Sequence, residues 1–333
     1  MNGLNRILVG DAAETLRKLP ADFADCVVTS PPYFRLRNYQ HRGQLGLEDH
    51  IALWVDDLRV VLRAVSRVLA PTGTVWLNVG DSYSTGDPQG APAKSLLLGP
   101  ERLAVGLIED GWIIRNKIVW AKRNPMPSPV RDRLASTWEA VYLLVRQGDY
   151  FFDLDSVRAP HATTAKPRSS KRGWSVPGSW RVATSSNSGL DALNAEGRVG
   201  HPLGKNPGDV WWLPTASYRG PHHAVFPRSL IERPIMAGCP EKRCSRCRSP
   251  WRRQTLRKLG HLALHGELRP SCGCCAASEP GVVLDPFIGS GTTALVAEDH
   301  GRNWLGIELN PTFAQLAEER IKAARAKTQR RAA

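Results

Sequence analysis

No apolar run in the sequence approaches the roughly 18 residues that a membrane-spanning helix needs. Its opening residues, Met1 to Arg6, carry no signal-peptide hydrophobic core. A cytoplasmic protein without membrane attachment is the expectation, and there thiols stay reduced. The seven cysteines are then not a disulfide framework. Acidic residues are also in short supply: 31 Asp and Glu face 45 Lys and Arg, a formal net charge of +14. An excess of that size favours a polyanionic partner, nucleic acid ahead of a membrane surface, through phosphate contacts and counterion release. Internal repeats are absent, which excludes solenoids and repeat arrays.

What is present fits a globular chain. With 333 residues and 42% hydrophobic content, one large domain or a domain with an insertion is expected. Strand–helix–strand begins at once: Arg6–Asp11 reads as a strand, Ala12–Leu19 as a short helix, and Asp25–Val28 as a buried strand. That alternation marks a parallel α/β sheet. Leu53, Trp54, Leu58, Val61, Leu62, Val65 and Leu69 recur at helical spacing, and Pro71–Gly73 should end that helix. A strand over Thr74–Asp81, a helix over Leu96–Glu109 and strands over Trp112–Trp120 and Glu139–Val145 follow. The link over 122–136 is crowded with prolines and basic residues and cannot be regular.

Between Pro160 and Gly208 aliphatic residues nearly vanish, and seven basic residues stand against two acidic ones. Such a stretch cannot bury enough apolar surface to order itself. Either a flexible linker or a DNA-contacting region that orders on its partner is expected there, with Lys171 and Arg172 as candidate DNA contacts. Six cysteines crowd between Cys239 and Cys275. The pairs Cys244/Cys247 and Cys272/Cys274 have the spacing of a tetrahedral structural Zn²⁺ site, with Cys275 an alternative to Cys274. A terminal helix, Pro311–Ala326, should dissolve into the basic tail 327–333.

Two stretches carry chemistry. In Thr29-Ser30-Pro31-Pro32-Tyr33-Phe34 the two prolines fix φ and remove two donors. Ser30, before a proline, is pushed out of helical space. The result is a stiff peptide with free carbonyls, a hydroxyl ahead of it and aromatics behind, suited to holding a flat polar object by its edge. In Asp285-Pro286-Phe287-Ile288-Gly289-Ser290-Gly291-Thr292-Thr293 a strand ends in Asp, a Gly-rich turn opens a helix, and the next strand ends in Glu308. That is a nucleotide-type βαβ unit, with the acid placed for ribose hydroxyls. A P-loop would need a Lys after the last glycine, where Thr292-Thr293 stand, and the dinucleotide signature G-x-G-x-x-G is absent. A ligand with a ribose and an amino-acid end, S-adenosylmethionine, fits better.

Together these motifs resemble the β class of amino-directed DNA methyltransferases, which act on N4 of cytosine or N6 of adenine. The resemblance covers most of the chain: Gly10-Asp11, Gln44–Glu48, Gly73–Tyr83 and His223–Pro227 also look like family elements. It implies a circularly permuted, Rossmann-like methyltransferase fold with a mostly parallel seven-stranded sheet. The expected parts are a catalytic half (1–159), a target-recognition or flexible DNA-contacting insertion (160–208) and a return to the core with the methionine-pocket element (209–238). A cysteine-rich zinc insert (239–279), a cofactor half (280–326) and the basic tail complete the chain.

The resemblance assigns catalysis to Ser30, Pro31, Pro32 and Tyr33. It assigns S-adenosylmethionine binding to Asp11, Phe226, Asp285, Pro286, Phe287, Gly289, Ser290, Gly291, Thr292 and Glu308. Double-stranded DNA is the implied partner, contacted by the basic loop with Phe34, Arg35, Arg37, Tyr39 and Arg42. Ser at position 30 favours N4-cytosine, since DPPY or NPPY accompanies N6-adenine in the family. A bacterial, archaeal or phage source, a monomer or homodimer, and a companion restriction endonuclease would fit such an enzyme. A zinc-bearing DNA-binding protein without catalysis is the alternative from another class.

Overall fold

A computed structural model describes residues 3–161, 201, 203–216, 225–256 and 264–332. Contacts divide the chain into two units. The first comprises Met1–Asp153, Gly208–Arg253 and Leu268–Ala333, and it holds the central sheet. The second comprises Leu154–Pro207 and Gln254–Glu267. Among its described residues, Ala159 and Lys205 form an antiparallel bridge and Arg158 donates to the Gly204 carbonyl at 3.0 Å.

The strands are β1 (Arg6–Val9), β2 (Ala24–Thr29), β3 (Leu69–Val79), β4 (Ile113–Lys122), β5 (Trp138–Val145), β6 (Val210–Leu213), β7 (Arg243–Cys244), β8 (Trp251–Leu256), β9 (Leu264–Pro270), β10 (Ser278–Glu279), β11 (Val282–Asp285) and β12 (Asn303–Glu308). The helices are α1 (Ala12–Lys18), α2 (Ile51–Val68), α3 (Gly99–Glu109), α4 (Arg228–Gly238), α5 (Thr292–Asp299) and α6 (Pro311–Ala332). Eight strands form the sheet in the order β1-β12-β11-β2-β3-β5-β4-β6. Only β5 runs against the others. The expected seven strands are there, and β6 adds an eighth by pairing parallel to β4 at the edge.

Permutation is visible in the pairing. The first strand of the chain lies beside its last, with Val9 opposite Glu308, and β2 and β11 are parallel neighbours in the middle of the sheet. From β11 the chain leaves through α5 to β12 on one side; from β2 it leaves through α2 to β3 on the other. Ligands of open α/β sheets bind where such connections diverge, at the carboxyl ends of the strands.

All six residues of β2 are buried, so both sheet faces are covered. Val27, Val75, Leu77, Leu284 and Leu305 share one core cluster with Leu16, Trp54, Leu58, Leu103 and other residues of α1, α2 and α3. The alternate side chain Cys26 turns the other way and meets the Pro234 carbonyl of α4. Burial of Cys26 is complete and its thiol is pushed up to about 12, as suits a core residue and not a nucleophile.

Three boundaries differ from expectation. Pro71–Gly73 does not separate helix from strand, because β3 starts at Leu69 directly after α2. The third helix starts at Gly99, since the Asp81 carboxylate takes the Leu98 and Gly99 amides at 3.0 Å and sets the turn before it. The basic tail stays helical to Ala332. Among the described residues no helix is long and apolar enough to cross a membrane.

Candidate active site

The two motifs meet through one hydrogen bond. Thr29 Oγ1, at the end of β2, donates to Asp285 Oδ1, at the end of β11, at 2.7 Å. Thr293 Oγ1 holds the other carboxylate oxygen at 2.6 Å, and the Phe287 amide donates to Oδ1 at 3.1 Å. Asp285 is therefore a fully buried clasp that fixes the Gly-rich turn against the end of β2. Burial pushes its carboxyl up to about 6, against the pull of those three donors.

A measurable pH effect results. Because the folded pKa lies above the ordinary 3.8, the folded state takes up the proton first as pH falls. The ionised form costs stability above about pH 6, and that cost disappears as pH drops through 6 towards 4. Wild type should therefore gain on the order of 1 kcal/mol relative to Asp285→Asn between pH 7.5 and pH 5. Urea midpoints of both proteins across that window are the check, and a pH-independent difference would contradict it.

Around the Pro-Pro turn two carbonyls are already bonded. Trp54 Nε1 donates to the Pro32 carbonyl at 2.9 Å, and the Leu36 amide takes that of Tyr33 at 3.4 Å. Among the described residues nothing bonds the Pro31 carbonyl, so it and Ser30 Oγ are the acceptors offered by the turn. The Tyr33 hydroxyl lies 2.7 Å from Glu139 Oε2, 3.1 Å from Asn78 Oδ1 and 3.2 Å from Ser30 Oγ. Burial, followed by the Glu139 charge, raises the Tyr33 phenol well above its ordinary value, so it keeps its proton.

Glu308 organises the other side. Its Oε2 accepts from the Gly289 amide and its Oε1 from the Asn310 amide, both at 3.0 Å. Each oxygen keeps a lone-pair direction for a further donor, which matches a vicinal diol. Burial raises its carboxyl above the usual range. Gly291 adopts φ +79° and caps α5, whose first residue is Thr292. A cavity of about 520 Å³, within the range of small-molecule sites, joins both sides: Ser30, Pro31, Pro32, Tyr33 and Asn78 line it together with Asp11, Phe226, Phe287, Gly289 and Glu308. Pro286, Ser290 and Thr292 also line it, whereas Asp285 lies beneath as the clasp. Asp11 has a second task, accepting from the Glu14 amide at 2.8 Å as the cap of α1.

The basic loop divides. Arg37 and Tyr39 line the cavity, Arg42 is exposed, and Arg35 is tied to Asp49 at 2.6 Å. Phe34 corrects the expectation of a DNA contact: it is 2% exposed and packs in the core cluster with Trp54 and Ile51. Lys171 and Arg172 lie outside the described residues, as do His223 and Ala224 ahead of Phe226. Sequence reasoning missed Asn78, Glu139, Lys122 and Met126, all of which line the cavity. Asn78 stood inside the Gly73–Tyr83 element; Glu139 and Lys122 gave no signal beyond their places on β5 and β4.

The four cysteines chosen by spacing come together. The sulfurs of Cys244, Cys247, Cys272 and Cys274 all lie within 4.8 Å of one another. Cys275 stands outside that group, its Sγ turned to the Gly273 carbonyl. Next to the cluster, Arg243 is fully buried and donates to Asp25 Oδ2 at 2.8 Å, the Phe23 carbonyl at 2.9 Å and Glu279 Oε1 at 2.9 Å. These contacts pin the insert to the start of β2, roughly 16 Å of strand from Ser30.

Comparison with known proteins agrees with this geometry. The family model for N6/N4 DNA methylases matches residues 24–319. Type II methyltransferase M.SmaI from Serratia marcescens is 34% identical, with 95% of this chain and 90% of that protein aligned. For Type II methyltransferase M.SfiI from Streptomyces fimbriatus the figures are 32%, 92% and 88%. Among solved structures, PvuII DNA methyltransferase (cytosine-N4-specific) superposes with a TM-score of 0.57 at 19% identity, covering 96% of this chain and 90% of that one. TTHA0409 from Thermus thermophilus, solved with S-adenosyl-L-methionine, gives 0.54 at 23% identity, covering 96% and 93%. A family match over most of the chain, a sheet in permuted order and both motifs facing one cavity lead to one assignment: this protein belongs to the amino-directed (N6/N4) DNA methylase family.

Proposed function

We propose that the protein transfers a methyl group from S-adenosylmethionine to N4 of a cytosine flipped out of double-stranded DNA. The observation that carries this reading is the single cavity in which the Ser30 and Pro31 acceptors face the Glu308 and Phe287 side. The residues fit the cofactor: Glu308 is set to accept from ribose hydroxyls, Phe287 and Phe226 offer apolar walls, and Asp11 lies at the same rim. When bound, the cofactor supplies an electrophilic methyl group.

The chain's own work is positioning. An exocyclic amine is a poor nucleophile because its lone pair is delocalised into the ring. Two N–H bonds to the Pro31 carbonyl and Ser30 Oγ turn that lone pair out of conjugation and towards the methyl donor. Tyr33, on the same wall, offers a face for the base. A base paired inside a duplex cannot reach this cavity, so flipping is required. The exposed 123–137 segment, with Met126 88% and Leu134 91% exposed beside Arg123, Arg131 and Arg133, supports a DNA-facing side for the cavity mouth. Ser at position 30, by resemblance to the SPPY members, supports cytosine over adenine.

The test is transfer of a labelled methyl group from S-adenosylmethionine to duplex DNA and to RNA of the same sequence. Label in duplex DNA is the expected result; label in RNA alone would overturn the reading. DNA so treated should resist a restriction endonuclease reading the same site, the companion we propose.

The cysteine cluster supports a structural Zn²⁺ held by Cys244, Cys247, Cys272 and Cys274. Its place at the far end of β2 supports a folding staple and not a DNA contact. Elemental analysis of protein purified without chelator should find about one zinc per chain, and Cys272→Ser should abolish it. Metal-free protein with full stability would contradict the site.

A further inference from the structure

We infer that Glu139 sets the direction of a hydrogen-bond chain that makes Ser30 Oγ an acceptor for the substrate amine. This rests on the methyltransferase reading of the Ser30 turn and deepens it. Lys122 Nζ reaches Glu139 Oε1 at 2.6 Å, and an ammonium can only donate. Glu139 Oε2 is left to accept from the Tyr33 hydroxyl at 2.7 Å and from Asn78 Nδ2 at 3.2 Å. The amide of Asn78 is held by a second bond from the same Nδ2 to the Ala140 carbonyl at 3.2 Å, which turns its Oδ1 towards Tyr33 as another acceptor.

Tyr33 has one proton, and acceptors claim it from the Glu139 side. Its oxygen can then only accept from Ser30, whose hydroxyl lies 3.2 Å away. With its proton spent on Tyr33, Ser30 Oγ presents lone pairs to the cavity. A hydroxyl free to rotate would offer its proton to the amine nitrogen half-way through a search for partners, and would tie up the lone pair that attacks. Glu139 is thus a positioning residue acting through Tyr33, and Lys122 fixes which of its oxygens does so.

The isosteric change Glu139→Gln tests this without removing volume. Lys122 claims the new amide oxygen, so the NH₂ group must face Tyr33 and Asn78 Nδ2. The charged acceptor at 2.7 Å is lost, and only the neutral Asn78 Oδ1 at 3.1 Å is left to hold the Tyr33 proton. Single-turnover methyl transfer to duplex DNA should slow on the order of a hundredfold, with unchanged S-adenosylmethionine affinity in protein that is still folded at the assay temperature. In a Tyr33→Phe background the chain is already cut, so adding Glu139→Gln should slow transfer no further. A wild-type rate for Glu139→Gln overturns the inference; so do multiplying effects in the double variant, or a loss explained by weaker cofactor binding or by unfolding at the assay temperature. Ser30→Ala separates the two levels. If it is slow while Glu139→Gln is normal, only the chain is wrong; if Ser30→Ala itself is normal, the base does not sit at this turn.

Discussion

Ser30→Ala should lower methyl transfer by on the order of 10²- to 10³-fold, with S-adenosylmethionine binding intact. The hydroxyl is one of the two acceptors assigned to the amine, the Pro31 carbonyl being the other, while Trp54 occupies the Pro32 carbonyl. Losing it leaves the amine held by the Pro31 carbonyl alone, and the ring keeps its lone pair. Folding should survive, since Ser30 is only part-buried and its one bond goes to Tyr33. Tyr33→Ala should be at least as severe, as it removes both the ring under the base and the partner that orients Ser30. Gly80 offers an indirect version. A Cβ at Gly80 would lie 2.5 Å from Tyr33 Cε2, so Gly80→Ala must push the ring out of place. Its rate should fall although no reacting group has changed. Single-turnover rates with cofactor titrations on the same preparations decide these points; a wild-type rate in Ser30→Ala would remove the turn from the chemistry.

Glu308→Ala should weaken S-adenosylmethionine binding by on the order of a hundredfold, the worth of two hydrogen bonds to a charged acceptor. It also strips the Gly289 and Asn310 amides of their partner, loosening the turn that shapes the cavity. Phe287→Ala should weaken binding by loss of apolar contact and leave that turn in place. Isothermal titration measures both. Unaltered affinity in Glu308→Ala would contradict its role towards the ribose.

Much of this site could be read from residues alone, for a physical reason. Backbone-dictated motifs are local: two prolines after Ser30 and a Gly-rich turn after Asp285 specify their shapes without the rest of the chain. Buried strands ahead of each place them at strand ends, and a parallel sheet brings such ends to one edge. The cysteine pairs were legible likewise, because ligand spacing within a knuckle is short. Glu139 was not legible. Its partners come from the turn after β2, from β3 and from β4, and nothing in a strand starting Trp138-Glu139 distinguishes a solvated acid from a buried one. Phe34 misled for a related reason: an aromatic after Pro-Pro-Tyr looks the same whether it meets DNA or, as here, the core beside α2. Arg243 gave no signal beyond its place beside Cys244, and only the fold shows it buried between Asp25 and Glu279. Lys171 and Arg172 lie outside the described residues.

The identity of the base bears most directly on the Ser30 turn as the seat of an exocyclic amine. Duplex DNA treated with purified protein and isotopically labelled S-adenosylmethionine can be digested to nucleosides and resolved by mass spectrometry. N4-methylcytosine carrying the label is the expected product. Label in N6-methyladenine alone would contradict the cytosine assignment, and label in 5-methylcytosine would contradict amine-directed transfer at this site altogether.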